Sequence, residues 1–213
     1  MGYTTDFTGD FNFSRELTPT EKEYINRFSN TRRMKRDVKK LMELYKGEFG
    51  YPFPELLDDK SPEAVYGNEG EYFAKNDGNA GQTHDASIID YNIPAGQQES
   101  RDIKYINEVW NENSKRIKKG TCQPDLWCQW NVIQYRDGRE VLAWDGTEKF
   151  YYYIEWLKYL IAHFFSKWGV LLNGEVKWQG EDPEDMGIII VENNKVRTRS
   201  AEIIFKDDDE DEE

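Results

Sequence analysis

The amino-acid sequence predicts an α+β fold: an antiparallel sheet built from hairpins, with two main helices packed on one face. Three observations carry that expectation. The stretch "TTDFTGDFNF" alternates apolar and polar residues with the period of a half-buried strand. "LWCQWNVIQY" and "EVLAW" flank "RDGR", whose Asp-Gly pair is suited to the positive φ angles of a tight hairpin. Trp144 to Gly169 then gathers aromatic residues at helical spacing. Strands that arrive as hairpins pair antiparallel, and a sheet with one apolar face needs helices to cover it.

Taken in order, the first strand puts Phe7, Gly9, Phe11 and Phe13 on one side and Asp6, Thr8, Asp10 and Asn12 on the other. "LTPTEKEYINRFSN" follows with three signals of a helix start: Thr18 as N-cap, Pro19 at the first helical position and Glu21 at the capping-box offset. The helix continues, or a second one restarts, through "TRRMKRDVKKLMELYKG", where Met34, Val38, Leu41, Met42 and Tyr45 recur at helical spacing and Gly47 can end it. Pro52, Pro54 and Pro62 mark loop, and residues 67 to 100 are turn-forming sequence holding two short strand candidates, "GEYFA" and "SIIDYN". "DIKYINEVWNENSKRIKKG" reads as a short amphipathic helix. After the hairpin comes the long helix, capped by Asp145 or Thr147, and then "VLLNGEVKWQ", "GIIIVE" and "KVRTRSAEIIF" as strands joined at "EDPED" and "ENNK". The reading is one domain over 1–206 with insertions near 38–60 and 92–120. The tail 207–213 is acidic throughout and expected to be disordered, since it has nothing to bury.

The long helix carries two stripes. Phe150, Ile154, Leu157, Ile161, Phe164 or Phe165, and Trp168 form an apolar one, expected in the core. Tyr152, Glu155, Trp156, Tyr159 and His163 form a second, aromatic but with polar tips. Tyr152, Trp156 and Tyr159 are therefore candidates for an exposed docking face of the kind that hot spots favour, and burial under the first helix or an inserted segment is the alternative. In the hairpin, Cys128, Trp130, Val132 and Gln134 share one face and Trp127, Gln129, Asn131 and Ile133 the other. Trp130 thus enters as a further candidate, for stacking on an open sheet face.

Composition narrows the function classes. A net charge of -13 argues against direct coating of nucleic acid and favours basic partners or imitation of a polyanion. Cys122 and Cys128 are the only cysteines, which suggests a reducing, cytoplasmic compartment. Residues 1 to 30 show no secretory or transit signal. The best apolar run, Phe150 to Phe165, is interrupted by Glu155, Lys158 and His163, so no membrane span is expected.

Chemistry-bearing patterns are sparse. His84 and His163 are the only histidines, and neither sits in a nucleophile signature; "THD" lacks the further ligands of a binuclear site. Cys122 and Cys128 with these histidines match no usual zinc spacing and read as core thiols. Glu69, Glu71, Asp77, Asp85 and Asp90 crowd the glycine-rich segment. Glu69, Glu71 and Asp85 form a weak candidate set for Mg²⁺, against the simpler reading of a solvated loop. "GNAGQT" lacks the Lys-Ser/Thr pair of a phosphate-binding loop. Arg32, Arg33, Lys35, Arg36, Lys39 and Lys40 form a basic cluster against a chain of opposite sign. It reads as a solvated face or, through Arg32, Arg33 and Arg36, as a phosphate-binding patch.

"GYTTDFTGDF", "TRRMKRD", "EGEYF", "LWCQW", "WDGTEKFYYYIEWLKYLI" and "LNGEVKWQGEDPEDMGIIIVENN", in that order, resemble an uncharacterised family of small proteins encoded by bacteria and their phages. The resemblance implies a microbial or phage cytoplasmic protein and carries over no catalytic residue. The leading expectation is a non-enzymatic interaction protein, a phage-encoded modulator or inhibitor of a host or defence factor, with a basic or nucleic-acid-binding protein as partner and no cofactor. The alternative is an enzyme or sensor acting on a nucleotide or other phosphorylated small molecule.

Overall fold

The computed structural model describes residues 2–30, 32, 34–36, 88–94 and 124–204. Within them lie β1 (Thr5–Phe13), α1 (Pro19–Ser29), β2 (Met34–Arg36), β3 (Ile88–Pro94), β4 (Trp130–Gln134), β5 (Glu140–Trp144), α2 (Tyr153–Leu160) running into a π-helical turn (Ile161–Phe165), β6 (Leu172–Gly180), β7 (Met186–Glu192) and β8 (Lys195–Ser200). Six strands form one antiparallel sheet in the order β4-β5-β1-β6-β7-β8, and β2 pairs with β3 in a separate ladder. The α+β class read from the sequence is therefore present. "GEYFA", the segment 102–120, Cys122 and the tail 207–213 lie outside the described residues.

The alternation in β1 sorts its side chains as the sequence requires: Phe7, Phe11 and Phe13 pack with the core, while Asp6, Thr8 and Asn12 are exposed. Register extends both faces across the sheet. Phe7 pairs with Trp178 and Phe11 with Leu142, whereas Thr8 pairs with Lys177 and Asp10 with Glu175. The polar face is stitched at one end by Arg139, whose guanidinium donates to Asp10 at 3.1 Å and lies 4.9 Å above the Tyr135 ring. The apolar face is aromatic. Phe7 alone meets Trp130, Trp144, Phe150 and Tyr153 edge-on at 4.8–5.8 Å between ring centres, the geometry that ring quadrupoles prefer.

α1 begins as the sequence indicates. Thr18 accepts from the Glu21 N–H at 3.2 Å, and the Glu21 carboxylate accepts from the Thr18 N–H at 2.8 Å. The Arg15 fork adds two bonds to Glu21, at 2.7 and 2.9 Å. Burial of Glu21 pushes its carboxyl up, but the Arg15 fork and Thr18 more than offset this and leave it below the usual value of 4.5. The stabilisation from a depressed carboxyl is complete above its unfolded value and is lost as pH falls through the folded one. Acidification below about pH 4.5 is thus expected to weaken the wild type, and Glu21→Gln is expected to flatten that part of the stability-pH profile, measured by urea unfolding at each pH. Thr18→Ala is expected to cost about 0.5–2 kcal/mol. A profile unchanged in Glu21→Gln would remove this box as the source of the acid sensitivity.

α1 ends at Asn30, and the helix expected to continue or restart through 31–47 is not found at Met34–Arg36, which is a strand. The ladder with β3 (Met34 opposite Pro94, Lys35 opposite Asp90, Arg36 opposite Ile88) overrides a local helical period. α1 lies against the edge of the large sheet. Asn26 donates to the Val132 carbonyl and accepts from its N–H, and Ser29 donates to the Trp130 carbonyl. One short helix thus satisfies the outward backbone of β4 and removes it as a pairing edge.

Two turns correct the sequence reading. In the β4–β5 hairpin only Gly138 takes a positive φ, +87°, and Asp137 does not. The Tyr135 N–H reaches the Arg139 carbonyl at 2.9 Å and the Gly138 N–H reaches the Tyr135 carbonyl at 3.0 Å, so a three-residue loop with one left-handed glycine replaces the expected two-residue turn. The second correction is the long helix, which starts at Tyr153 rather than near Asp145 or Thr147. Lys149 and Tyr152 both take left-handed φ, 65° and 53°, which no α-helix accommodates, and Asp145 instead accepts from the Thr147 N–H in a turn. Phe150 is still buried, from the connection rather than from the helix. The π turn then inserts one residue into the helical period, with the Ser166 N–H bonding the Ile161 carbonyl at 2.9 Å, so Phe164 and Phe165 are both buried where a regular period allowed one.

Candidate functional site

The docking residues read from the long helix are divided by the fold. Trp156 and Tyr159 are fully buried. Phe28 of α1 meets Trp156 edge-on at 5.8 Å and stacks on Tyr159 at 5.7 Å, while His163 also stacks on Tyr159, at 4.0 Å. Those two positions therefore offer no open face, because α1 supplies an apolar partner for the second stripe. Trp130 is also fully buried, its indole donating to the Tyr153 carbonyl at 2.8 Å. Its face of the hairpin is the covered one, so stacking on an open sheet is ruled out for it. Cys128 is fully buried.

Tyr152 and Arg32 are related through Asp125, within electrostatic reach of each. The segment before β4 carries Asp125 and Trp127, and Asp125 accepts from the Leu126 N–H at 2.7 Å, which ties its carboxylate to the local backbone. The Arg32 guanidinium lies 6.0 Å from the centre of the Trp127 ring, within reach of a cation–π interaction. Burial pushes the Asp125 carboxyl up, and its Leu126 bond and the charge of Arg32 offset part of that rise. Burial likewise raises the Tyr152 phenol, with Asp125 and Glu155 adding to the shift. Tyr152, placed by its left-handed backbone ahead of α2, thus shares one corner with Asp125, Trp127, Glu155 and Arg32.

The neighbouring loop 145–148 is latched to this segment. Asn131 donates to Asp145 at 3.0 Å, Gln129 donates to the Glu148 carbonyl at 3.1 Å, and the Trp144 indole donates to the Thr147 carbonyl at 3.0 Å. Gln129 and Asn131 are buried and satisfied, which holds the corner's backbone in place. Trp127 remains 37% exposed, the one tryptophan among the large exposed apolar side chains of the described residues. Asp125 and Trp127 were not singled out as site residues from the sequence. The signal was present in the alternation that sets Trp127 on the face opposite Trp130.

Of the other candidates, Arg36 lies on β2 opposite Ile88, and Arg33, Glu69, Glu71 and Asp85 lie outside the described residues. Among the described residues, no three His, Cys, Asp or Glu side chains gather as metal ligands, and no helix is long and apolar enough to cross a membrane. Compared with known proteins, the chain matches no family model, no curated protein and no solved structure.

Proposed function

We propose that this chain is a non-enzymatic interaction protein that takes a basic segment of a protein partner at the corner formed by Trp127, Asp125 and Tyr152. The observation that carries the reading is Arg32. Its guanidinium sits over the Trp127 ring and close enough to Asp125 to favour the carboxylate, so the corner already receives a cation from its own chain as it would receive a partner's arginine. The acidic balance of the whole chain favours the same partner by steering it. In this reading α1 and α2 cover the one sheet face that carries Phe7, Phe11 and Phe13, and aromatic anchoring passes from the helix to Trp127. The setting is cytoplasmic, in a microbe or its phage, and the partner is a basic or nucleic-acid-binding host or defence factor.

An arginine-rich peptide titrated by calorimetry tests the reading. Trp127→Ala is expected to weaken binding by about 30-fold, the scale of a single hot-spot residue of roughly 2 kcal/mol, while shifting Tm by only a few degrees because the ring is part-exposed. Asp125→Asn is expected to lose the same binding, and the wild type to lose it on acidification, at a pH above that of an ordinary aspartate. Deleting Asp207 to Glu213 is expected to reduce association at low salt. Equal affinity in wild type and Trp127→Ala sinks the proposal. The competing reading places phosphate on Arg32, Arg33 and Arg36 and Mg²⁺ on Glu69, Glu71 or Asp85. A thermal-shift screen with nucleotides and Mg²⁺ decides for it if a ligand at 100 times its Kd adds about 2.7 kcal/mol. The engagement of Arg32 with Trp127 and Asp125 weighs against that outcome.

A further inference from the structure

The large sheet has two ends, and they are treated differently. At β4 the outward backbone of Trp130 and Val132 is bonded by Ser29 and Asn26 of α1. At β8 nothing comparable exists among the described residues. Asn193 and Asn194, with φ of 48° and 67°, form a two-residue hairpin closed by Glu192 and Lys195. Lys195, Arg197 and Arg199 therefore face β7 in bonded pairs, a pattern that the Ala201 N–H to Met186 carbonyl bond continues at 2.9 Å. The N–H and C=O groups of Val196, Thr198 and Ser200 point away from the sheet, and the strand is exposed except for a half-buried Val196.

The side chains say which strand this edge accepts. Lys195, Arg197 and Arg199 lie on one face at every second position, and among the described residues Arg197 alone of the three pairs with a carboxylate, that of Glu192 at 2.7 Å. A second copy pairing antiparallel through the same outward groups would set lysine and arginine against lysine and arginine, because residues of equal parity then share a face. The basic row thus disfavours antiparallel self-pairing and is complementary to an extended segment with acidic side chains at alternate positions. We infer that β8 is a β-augmentation edge that docks an extended acidic segment of a partner protein, its backbone on Val196, Thr198 and Ser200 and its carboxylates opposite Lys195, Arg197 and Arg199. This surface is separate from the Trp127 corner and of opposite charge, so the two proposals stand or fall independently.

The full chain is titrated with a peptide of alternating Glu and Val, and with two controls: alternating Lys and Val, and the acidic peptide carrying a central proline. Binding is expected for the first alone, with slowed amide hydrogen exchange at Val196, Thr198 and Ser200. Thr198→Pro removes an outward N–H and no ladder bond, so it is expected to leave Tm near wild type and to abolish binding. Lys195→Glu with Arg199→Glu leaves the Arg197–Glu192 pair intact and is expected to cost at least about tenfold for the acidic peptide while admitting the basic one. Equal binding of the acidic and basic peptides, protection that maps away from β8, or concentration-dependent protection of β8 without peptide, which would mark a second copy as the occupant, overturns the inference.

Discussion

Trp156→Ala is expected to destabilise the protein by about 3–5 kcal/mol, the range for removing a fully buried tryptophan and leaving a cavity. Against a total of roughly 5–15 kcal/mol for a folded domain this is a large share, and it corresponds to a fall in Tm of roughly 6–20 °C for a chain of this size. The phenylalanine variants sharpen the test. Among the described residues the buried Trp156 indole N–H has no hydrogen-bond partner, whereas the Trp130 indole donates to the Tyr153 carbonyl at 2.8 Å. Trp156→Phe removes an unsatisfied donor, while Trp130→Phe strands an acceptor, which costs about 1–3 kcal/mol. Urea unfolding is therefore expected to rank Trp130→Phe below Trp156→Phe by at least about 1 kcal/mol. The reverse order would overturn the hydrogen-bond account, and an unchanged Tm in Trp156→Ala would return that residue to the surface.

The second large effect is expected at Gly174. Its φ is +150°, and a Cβ there would lie 2.4 Å from the Asp10 carbonyl oxygen and 3.0 Å from the Phe11 Cα. Both obstacles are backbone of the adjoining central strand β1, so no side chain can swing away. Backbone strain and forced separation of β1 from β6 together make Gly174→Ala cost about 2–6 kcal/mol. Gly138 provides the control. It also has a positive φ, +87°, but a Cβ would meet nothing within 4 Å, so Gly138→Ala is expected to cost only about 1–2 kcal/mol, from conformation alone. Equal losses at the two sites would show that φ, and not the close approach of strands, sets the penalty.

Much of the fold was legible because local chemistry agreed with its tertiary setting. Thr18, Pro19 and Glu21 announce α1 through hydrogen bonds that close within one helical turn, and all of them form. The alternation of Phe7, Phe11 and Phe13 against Thr8 and Asn12 announces β1 because one face of a strand must meet the core. Asn193-Asn194 announces the last hairpin because few residues tolerate the two positive φ angles it needs. The candidate site was legible only in fragments. Arg32 and Tyr152 could be named, but nothing local joins residue 32 to residue 127 or residue 152 to residue 125. Asp125 became visible as a site residue only once its burial and its neighbours were known.

What the sequence by itself determined is the set of features whose physics spans a few residues: the α+β class, the α1 cap, the strand faces and the turns rich in Gly and Asn. The tertiary structure decided whatever depends on a distant partner. Met34 opens a run of apolar residues at helical spacing, yet Met34–Arg36 is a strand, because β3 offers it a ladder. The aromatic helix starts late, at Tyr153, because two left-handed residues redirect the chain ahead of it. Trp156 and Tyr159 have the polar tips of a docking face, but α1 lays Phe28 against both. An aromatic side chain gains the same free energy by leaving water whether a partner protein or its own chain covers it. Only the packing of α1 could decide which.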